Sequence, residues 1–395
     1  MKVLLLGVGM QGKAALHDLV HSREMTEVVA ADWDFEGLQT YVQSKGYDNV
    51  RCERVDAASA ESLGRLMAQG PEVAIDLMPV VFHNTVATAA VEHRVHLVNA
   101  SYTTPEMEEL SGEAQARGVT ILPEFGLDPG IDLVLLGEAV HSLDQVEEII
   151  TYGAGFPGLE VANNALKYKV SWTFDGVLRS YHRAGRVIRD GKVVEIKDTE
   201  MFNPKHIHEV ELEGLGRLEA FPNGDALKYA APLGIETSGL RNMGRYTLRW
   251  PGHCAWWKTL VDLHFLDDEP VMVDGMAVDR KRFLAALLEP QLQYGANERD
   301  VVIVRVEVTG RKKDGQKKRL IYQVIDRRDL QTGFSAMSRT VGYTASIGTQ
   351  LIGSGKLTKR GLLSPINDVP YDLLAQELVK RDVQITSQIT ELPKE

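Results

Sequence analysis

The sequence predicts an α/β protein: an N-terminal doubly wound parallel sheet, then an α+β domain on a mostly antiparallel sheet. Three observations lead there. Val3 to Leu6 is a short apolar run that stops at Gly7-Val8-Gly9-Met10-Gln11-Gly12, and a helical pattern (Ala14, Ala15, Leu19, Val20) starts at once. Strand-like and helical runs then alternate up to about residue 128, as in a parallel sheet with crossover helices. Beyond Gly130 strand-like runs dominate, which suits an antiparallel sheet.

The glycine run is the Rossmann dinucleotide-binding fingerprint in its proper context, after a strand and before a helix. Gly7 permits the tight turn, Gly9 lets the backbone approach a pyrophosphate, and Gly12 lets strand and helix pack closely. Met10 and Gln11 open the helix, whose unpaired N–H groups face the diphosphate. A second apolar run, Val28 to Ala31, ends at Asp32, where a carboxylate accepts hydrogen bonds from the adenosine ribose. Its charge repels a 2′-phosphate, and Trp33 and Asp34 bring no compensating cation. The expected cofactor is therefore NAD, with NADP disfavoured.

Further strands are expected at Val73–Leu77, Val95–Val98 and Val119–Leu122, with helices through Thr85–Val91 and from Pro105 to Ala116. Ligands of such sheets sit beyond the carboxyl ends of the strands. Met78, Pro79, Phe82, Ser101, Tyr102 and Asp128 fall there, around the expected nicotinamide. As a competing role, Asp128 before Pro129 fits the N-cap of a following helix.

In the second half, Glu148–Tyr152, Lys167–Phe174, Val271–Val273, Val301–Thr309 and Ile321–Ile325 read as strands, and Arg282–Leu288 as a helix. Arg311 to Lys318 contains Asp314-Gly315 and reads as a basic hairpin tip. In the tail, Thr344–Ile352 is a small-residue helix, Tyr371–Lys380 an amphipathic helix and Val383–Thr386 a short strand. The expected domains are 1–128 (dinucleotide binding), 129–342 (substrate binding and dimerisation) and 343–395, a segment packing back on the first domain.

Composition excludes several classes. The 395 residues carry 44 Lys+Arg against 55 Asp+Glu, a net charge of −11. That argues against nucleic acid, whose phosphates demand clustered Lys and Arg, while leaving room for an anionic small molecule held by a few arginines. The 2 cysteines stand in unlike contexts, without a disulfide framework or zinc knuckle. The N-terminal apolar run is too short for a signal peptide, and no stretch approaches the roughly 18 apolar residues of a membrane helix. The expected compartment is the cytoplasm, without membrane contact.

Several segments, taken in order, resemble the saccharopine reductase (glutamate-forming saccharopine dehydrogenase) family. They are Met78-Pro79-Val80-Val81-Phe82-His83, Ser101-Tyr102-Thr103-Thr104-Pro105-Glu106-Met107 and Glu124-Phe125-Gly126-Leu127-Asp128-Pro129-Gly130-Ile131-Asp132. Later come Tyr168-Lys169-Val170-Ser171-Trp172, Ala220-Phe221-Pro222-Asn223, Thr247-Leu248-Arg249-Trp250 and Ser335-Ala336-Met337. The lysine 6-dehydrogenases look like a neighbouring branch. The resemblance implies a homodimer that passes hydride between a nicotinamide and the nitrogen-bearing carbon linking glutamate to 2-aminoadipate semialdehyde. It places substrate contacts at Ser101, Tyr102, Asp128, Thr173 and Thr247-Leu248-Arg249.

Saccharopine carries three carboxylates, and arginine's planar fork matches them best. Arg241, Arg245 and Arg249 crowd one short segment; Arg249 is the leading clamp, and Lys169 a further cation. Asp128 is a candidate for steering the amine or exchanging its proton, and Tyr102 for bonding the carbinolamine oxygen. His206, His208 and Glu209 do not make a metal site, and hydride transfer needs no His253–Cys254 nucleophile. Two departures stand out: Gly153 replaces a cysteine of the eukaryotic reductases, and Gly224 an arginine that the family sets on a substrate carboxylate. The second favours a lysine 6-dehydrogenase or another amino-acid oxidoreductase as the alternative. A non-catalytic NAD-binding protein is a third reading, which predicts a degraded second-domain pocket.

Overall fold

Val3, Leu4, Leu5 and Leu6 are at most 1% exposed, because their strand has a parallel neighbour on each side and helices over its faces. A computed structural model describes residues 1–393. In it β1 (Lys2–Leu6), β2 (Glu27–Asp32), β3 (Val50–Arg54), β4 (Val73–Asp76), β5 (His96–Asn99) and β6 (Thr120–Leu122) run parallel. With the short strand Gly361–Leu362 at one edge the order is Gly361–Leu362, β6, β5, β4, β1, β2, β3. The order reverses between β1 and β4, and there the carboxyl ends open a crevice for a ligand. Helix Met10–His21 buries Ala14, Ala15, Leu16 and Leu19 against the sheet. Helix His83–Glu92 buries His83, Val86, Ala87, Ala89, Ala90 and Val91.

The second unit is built on β7 (Gln145–Pro157), β8 (Gly185–Arg189), β9 (Lys192–Ile196), β10 (His208–Leu212), β11 (Gly216–Pro222) and β12 (Asn242–Arg249). A small hairpin follows, β13 (Val271–Val273) with β14 (Met276–Val278), then the long hairpin β15 (Asp300–Arg311) and β16 (Lys317–Arg327). Gly315 turns that hairpin at φ +78°. The main sheet runs β10, β11, β12, β7, β15, β16 and the last strand Ile385–Glu391, with β8 and β9 branching from β12. Only β12 with β7 is parallel, so the sheet is mixed, with antiparallel pairs dominating. Its core gathers Phe156, Tyr168, Phe174, Tyr181, Phe202, Phe221 and Trp257.

Residues 1–138 and 338–384 form the first unit, and 139–337 with the chain from 385 onward the second. The breaks fall inside helices Ile131–His141 and Ala336–Gly353 rather than at 128 and 342. Nor does the tail stay whole. Residues up to 384 go with the parallel sheet, but Ile385–Glu391 supplies the outer neighbour that β16 would otherwise lack.

One expected strand is absent. Lys167–Phe174 is irregular up to the helix Phe174–Ser180. The Asn164 side chain does the work of a strand partner. Its Oδ1 accepts from Leu166 N at 3.1 Å and Tyr168 N at 3.2 Å, and its Nδ2 donates to Tyr168 O at 2.6 Å. Local side-chain bonds of this kind compete with the ladder.

Candidate active site

The glycine loop is the most constrained segment of the first unit. Gly7 holds φ +85°, and a Cβ there would lie 2.8 Å from Leu77 O. A Cβ on Gly12 would lie 2.0 Å from Gly7 O, so loop and helix meet only without side chains. A Cβ on Gly9, by contrast, meets nothing within 4 Å. Gly9 is the N-cap of helix Met10–His21, and no side chain caps it. The first-turn N–H groups are therefore free for an anion. Met10 is exposed and Gln11 half-buried at this end. Asp32 Oδ2 accepts from Val8 N at 2.7 Å and Oδ1 from Asp34 N at 3.0 Å. These bonds pin the loop, and further lone pairs remain for ribose hydroxyls. The cradle fits a dinucleotide.

The expectation that Asp32 has no cation beside it needs correcting. Arg54 of β3 is its register partner across the sheet. Its Nη1 donates to Trp33 O at 3.1 Å and its Nη2 to Glu36 at 2.6 Å. A scan of the residues following Asp32 could not find a cation that arrives from the next strand.

At the carboxyl ends of β4 and β5 the structure joins residues that the motifs left apart. Asp76 Oδ1 accepts from Met78 N at 3.1 Å, and Asp76 Oδ2 lies 2.5 Å from His83 Nδ1. His83 Nε2 lies 2.9 Å from Ser101 Oγ, and Ser101 N donates to Asn99 Oδ1 at 2.9 Å. Asp76 and His83 are buried, while Ser101 and Tyr102 are half-buried. Met78 is half-buried and Pro79 exposed just past β4. Asp128 is half-buried in a turn where Gly126 N donates to Pro129 O at 3.0 Å. The helix starts at Ile131, and Asp132 Oδ1 accepts from Gly130 N at 2.7 Å. Asp128 thus lies three residues before the helix start, not immediately before it as its Pro neighbour suggested.

In the second unit, alternation along β12 puts Arg245, Thr247 and Arg249 on one face. Arg249 is 5% exposed, donates to Tyr181 Oη at 3.2 Å and to Leu248 O at 2.9 Å, and lies 5.1 Å over the Tyr168 ring. Its cross-strand neighbour is Glu219. That carboxylate is committed elsewhere: it caps helix His253–Asp262 through Gly252 N at 2.8 Å and Cys254 N at 3.0 Å. Among the described residues no carboxylate pairs with Arg249. A buried charge without a counter-ion costs several kcal/mol, which makes this guanidinium a candidate for holding an anionic ligand.

The other cations sort clearly. Arg245 is buried, 5.5 Å over the Tyr229 ring. Arg241 is largely exposed, 3.8 Å from Glu148 and from Asp190, a solvated charge rather than a clamp. Lys169 is buried but lies 2.5 Å from Glu298, so its charge is already met. Thr173 is exposed at the start of helix Phe174–Ser180, and Thr247 is half-buried.

Sequence reasoning missed Arg183. A Cβ on Gly224 would lie 3.1 Å from its Cζ, so this arginine lies over the glycine where the resemblance expects an arginine. Its Nη2 donates to Asn223 Oδ1, and its Nε is buried without a hydrogen-bond partner among the described residues. No linear signal ties residue 183 to 224.

Nucleophile chemistry finds no support. Burial, then Glu219, raises the Cys254 thiol above its ordinary value. Burial, with Arg249 beside it, holds His253 well below its own. Among the described residues no three His, Cys, Asp or Glu are grouped to hold a metal, and no helix is long and apolar enough to cross a membrane.

Comparison with known proteins matches residues 3–122 to the family model described as the saccharopine dehydrogenase NADP binding domain, and 126–383 to the saccharopine dehydrogenase C-terminal domain. The mouse mitochondrial alpha-aminoadipic semialdehyde synthase is 26% identical over 98% of this chain but only 48% of its own length. The chain thus spans about half of that relative. The saccharopine dehydrogenase (NADP+, L-glutamate-forming) of Saccharomyces cerevisiae is 26% identical, covering 95% of this chain and 96% of that one. A solved apo structure of the yeast glutamate-forming enzyme superposes with TM-score 0.87 at 23% identity, over 98% of this chain and 99% of the other, a likeness of fold.

Proposed function

The chain belongs to the saccharopine dehydrogenase family, and from that premise we propose that it oxidises the CH–NH bond of saccharopine to release glutamate and 2-aminoadipate semialdehyde, or condenses the two in reverse. One observation carries this reading: Arg249 is buried, and among the described residues it has no carboxylate partner. A polycarboxylate substrate supplies the missing counter-charge, with bidentate geometry that arginine favours. Arg183 and Arg245 are the further cations that its other carboxylates call for.

The bound pyridine nucleotide supplies or takes the hydride. Gly9 and the uncapped start of helix Met10–His21 hold its diphosphate, and Asp32 its adenosine ribose. Ser101 receives the reacting nitrogen. Asp128 is the group for exchanging the amine proton, and Tyr102 the one for bonding the oxygen that water adds. Arg249, held by Tyr181 and the Leu248 carbonyl, is the group in the second unit for holding a substrate carboxylate.

NAD is the proposed cofactor, on the strength of Asp32. NADP is the second reading: Arg54 next to Asp32 is a cation of the kind a 2′-phosphate needs, and the yeast relative is named for NADP+. The lysine 6-dehydrogenase alternative rests on the missing arginine at Gly224; Arg183 over that glycine is the cation that supports the saccharopine reading instead.

The test is anaerobic turnover of the purified protein with NAD or NADP, offered saccharopine and then lysine. Reduction with saccharopine alone supports the proposal. Lysine turnover would replace it with the alternative, and nucleotide binding without turnover of either would make the chain a binding protein.

A further inference from the structure

The Asp76–His83–Ser101 chain has a direction. An ionised carboxylate only accepts, and Asp76 already receives Met78 N on Oδ1. Its Oδ2, 2.5 Å from His83 Nδ1, therefore keeps the ring proton on that nitrogen. In the neutral ring Nε2 is then an acceptor, and its neighbour at 2.9 Å is the Ser101 hydroxyl. The hydroxyl hydrogen is spent on the ring. Ser101 is also held through its backbone, N to Asn99 Oδ1. What its half-buried oxygen offers outward is lone pairs alone.

We propose that Asp76 and His83 are positioning residues that make Ser101 a dedicated hydrogen-bond acceptor for the N–H of the reacting amine. This rests on the reading of the chain as an amine-oxidising enzyme. An acceptor-only hydroxyl discriminates: it welcomes an amine or ammonium hydrogen and repels a carboxylate oxygen. A tripod of carboxylates, free to bind in several registers, is thereby seated with its nitrogen at the carboxyl end of β5. The acidic partner is also needed for direction, because an amide in its place reverses the chain.

Asp76→Asn makes that reversal with little change of shape. The amide oxygen still accepts from Met78 N, while its NH2 faces His83 Nδ1 and drives the ring proton to Nε2. Ser101 then accepts from His83 and turns its own hydrogen outward. Asp76→Asn and Ser101→Ala should each lower kcat/KM for saccharopine by about 10- to 100-fold, the range for one hydrogen bond to a charged group. The double variant should be no worse than the worse single one, because both remove the same acceptor. Inhibition by glutarate, a dicarboxylate without nitrogen, should be unchanged, as should the cofactor Kd.

Full activity of Asp76→Asn, or losses that multiply in the double variant, would overturn the assignment. So would an equal loss of glutarate inhibition, which marks general damage to the site. A rise confined to the cofactor Kd would give the acceptor to the nicotinamide carboxamide instead. If the wild type oxidises lysine and not saccharopine, the substrate reading fails while the same cycle, run on lysine, still decides this one. A wild type that oxidises neither overturns both.

Discussion

Arg249 Nε donates to Tyr181 Oη at 3.2 Å, and both side chains are buried. A hydroxyl orients a guanidinium but does not neutralise it. Among the described residues the second unit therefore carries an uncompensated charge in its interior, a cost that a bound anion would offset.

Removal of that charge should separate stability from activity. Replacing a buried charge by an apolar chain of similar length is often neutral or stabilising. Arg249→Met should keep or raise Tm while kcat/KM for saccharopine falls about 100-fold or more, as expected for loss of a charge-assisted bidentate pair. Thermal melts and steady-state kinetics on one preparation decide it. A variant with normal kinetics would remove Arg249 from the site.

Arg183 should behave as the replacement for the arginine missing at Gly224. Arg183→Ala is expected to raise the saccharopine KM about 10-fold or more and to leave the cofactor Kd alone. Were KM unchanged, the guanidinium over Gly224 would be only packing for the β11–β12 end.

Asp32 and Arg54 should pull cofactor choice in opposite directions. Asp32→Ala is expected to weaken NAD and to improve the NADP:NAD ratio of kcat/KM, because it removes the like charge. Arg54→Ala should lower that ratio. If Asp32→Ala leaves selectivity where it was, the carboxylate argument for NAD fails.

Burial, assisted by Arg360, lowers His96 from its ordinary value near 6.5 to about 4. Its Nδ1 accepts from Thr120 N at 2.9 Å, which requires an unprotonated nitrogen. Between those two values the unfolded chain binds the proton and the folded one does not, so stability falls as pH drops. The contribution is complete above about pH 6.5 and is lost progressively toward pH 4. With allowance for partial solvation it is worth about 1–2 kcal/mol. In melts from pH 7.5 to 4.5, His96→Asn, which keeps an acceptor for Thr120, should show a shallower decline in Tm. Parallel curves would count against His96 as the source.

The parallel sheet was legible because its information is local. A buried parallel strand is a continuous apolar run, and the glycine loop has sterically required spacing. The α+β expectation also stands, but β8 to β11 escaped notice: Arg186, Lys192, Glu209 and Glu211 interrupt the apolar pattern on strands whose outer faces meet water. Lys167–Phe174 deceived for the opposite reason: it alternates polar and apolar residues as a strand does, yet Asn164 ties it into an irregular path. At the candidate site, the strand-end rule pointed to Ser101, and the crowding of arginines with the family resemblance pointed to Arg249. Arg54, Arg183, Asp76 and His83 became visible only when separate strands and turns were brought side by side, since no periodicity links 183 to 224 or 76 to 101.

The last strand, Ile385–Glu391, belongs to the sheet of the second unit, although residues 338–384 just before it belong to the first. Each unit is thus stitched from pieces far apart in the chain. No single cut yields both as independent fragments, and a ribosome must deliver residues beyond 384 before β16 meets its outer neighbour. Both sheets wait on late-arriving segments, which predicts slow, nonlocal folding and a long interval in which β16 is an open edge. Chaperone dependence during synthesis, more than thermodynamic stability, is where changes in this strand should first be felt.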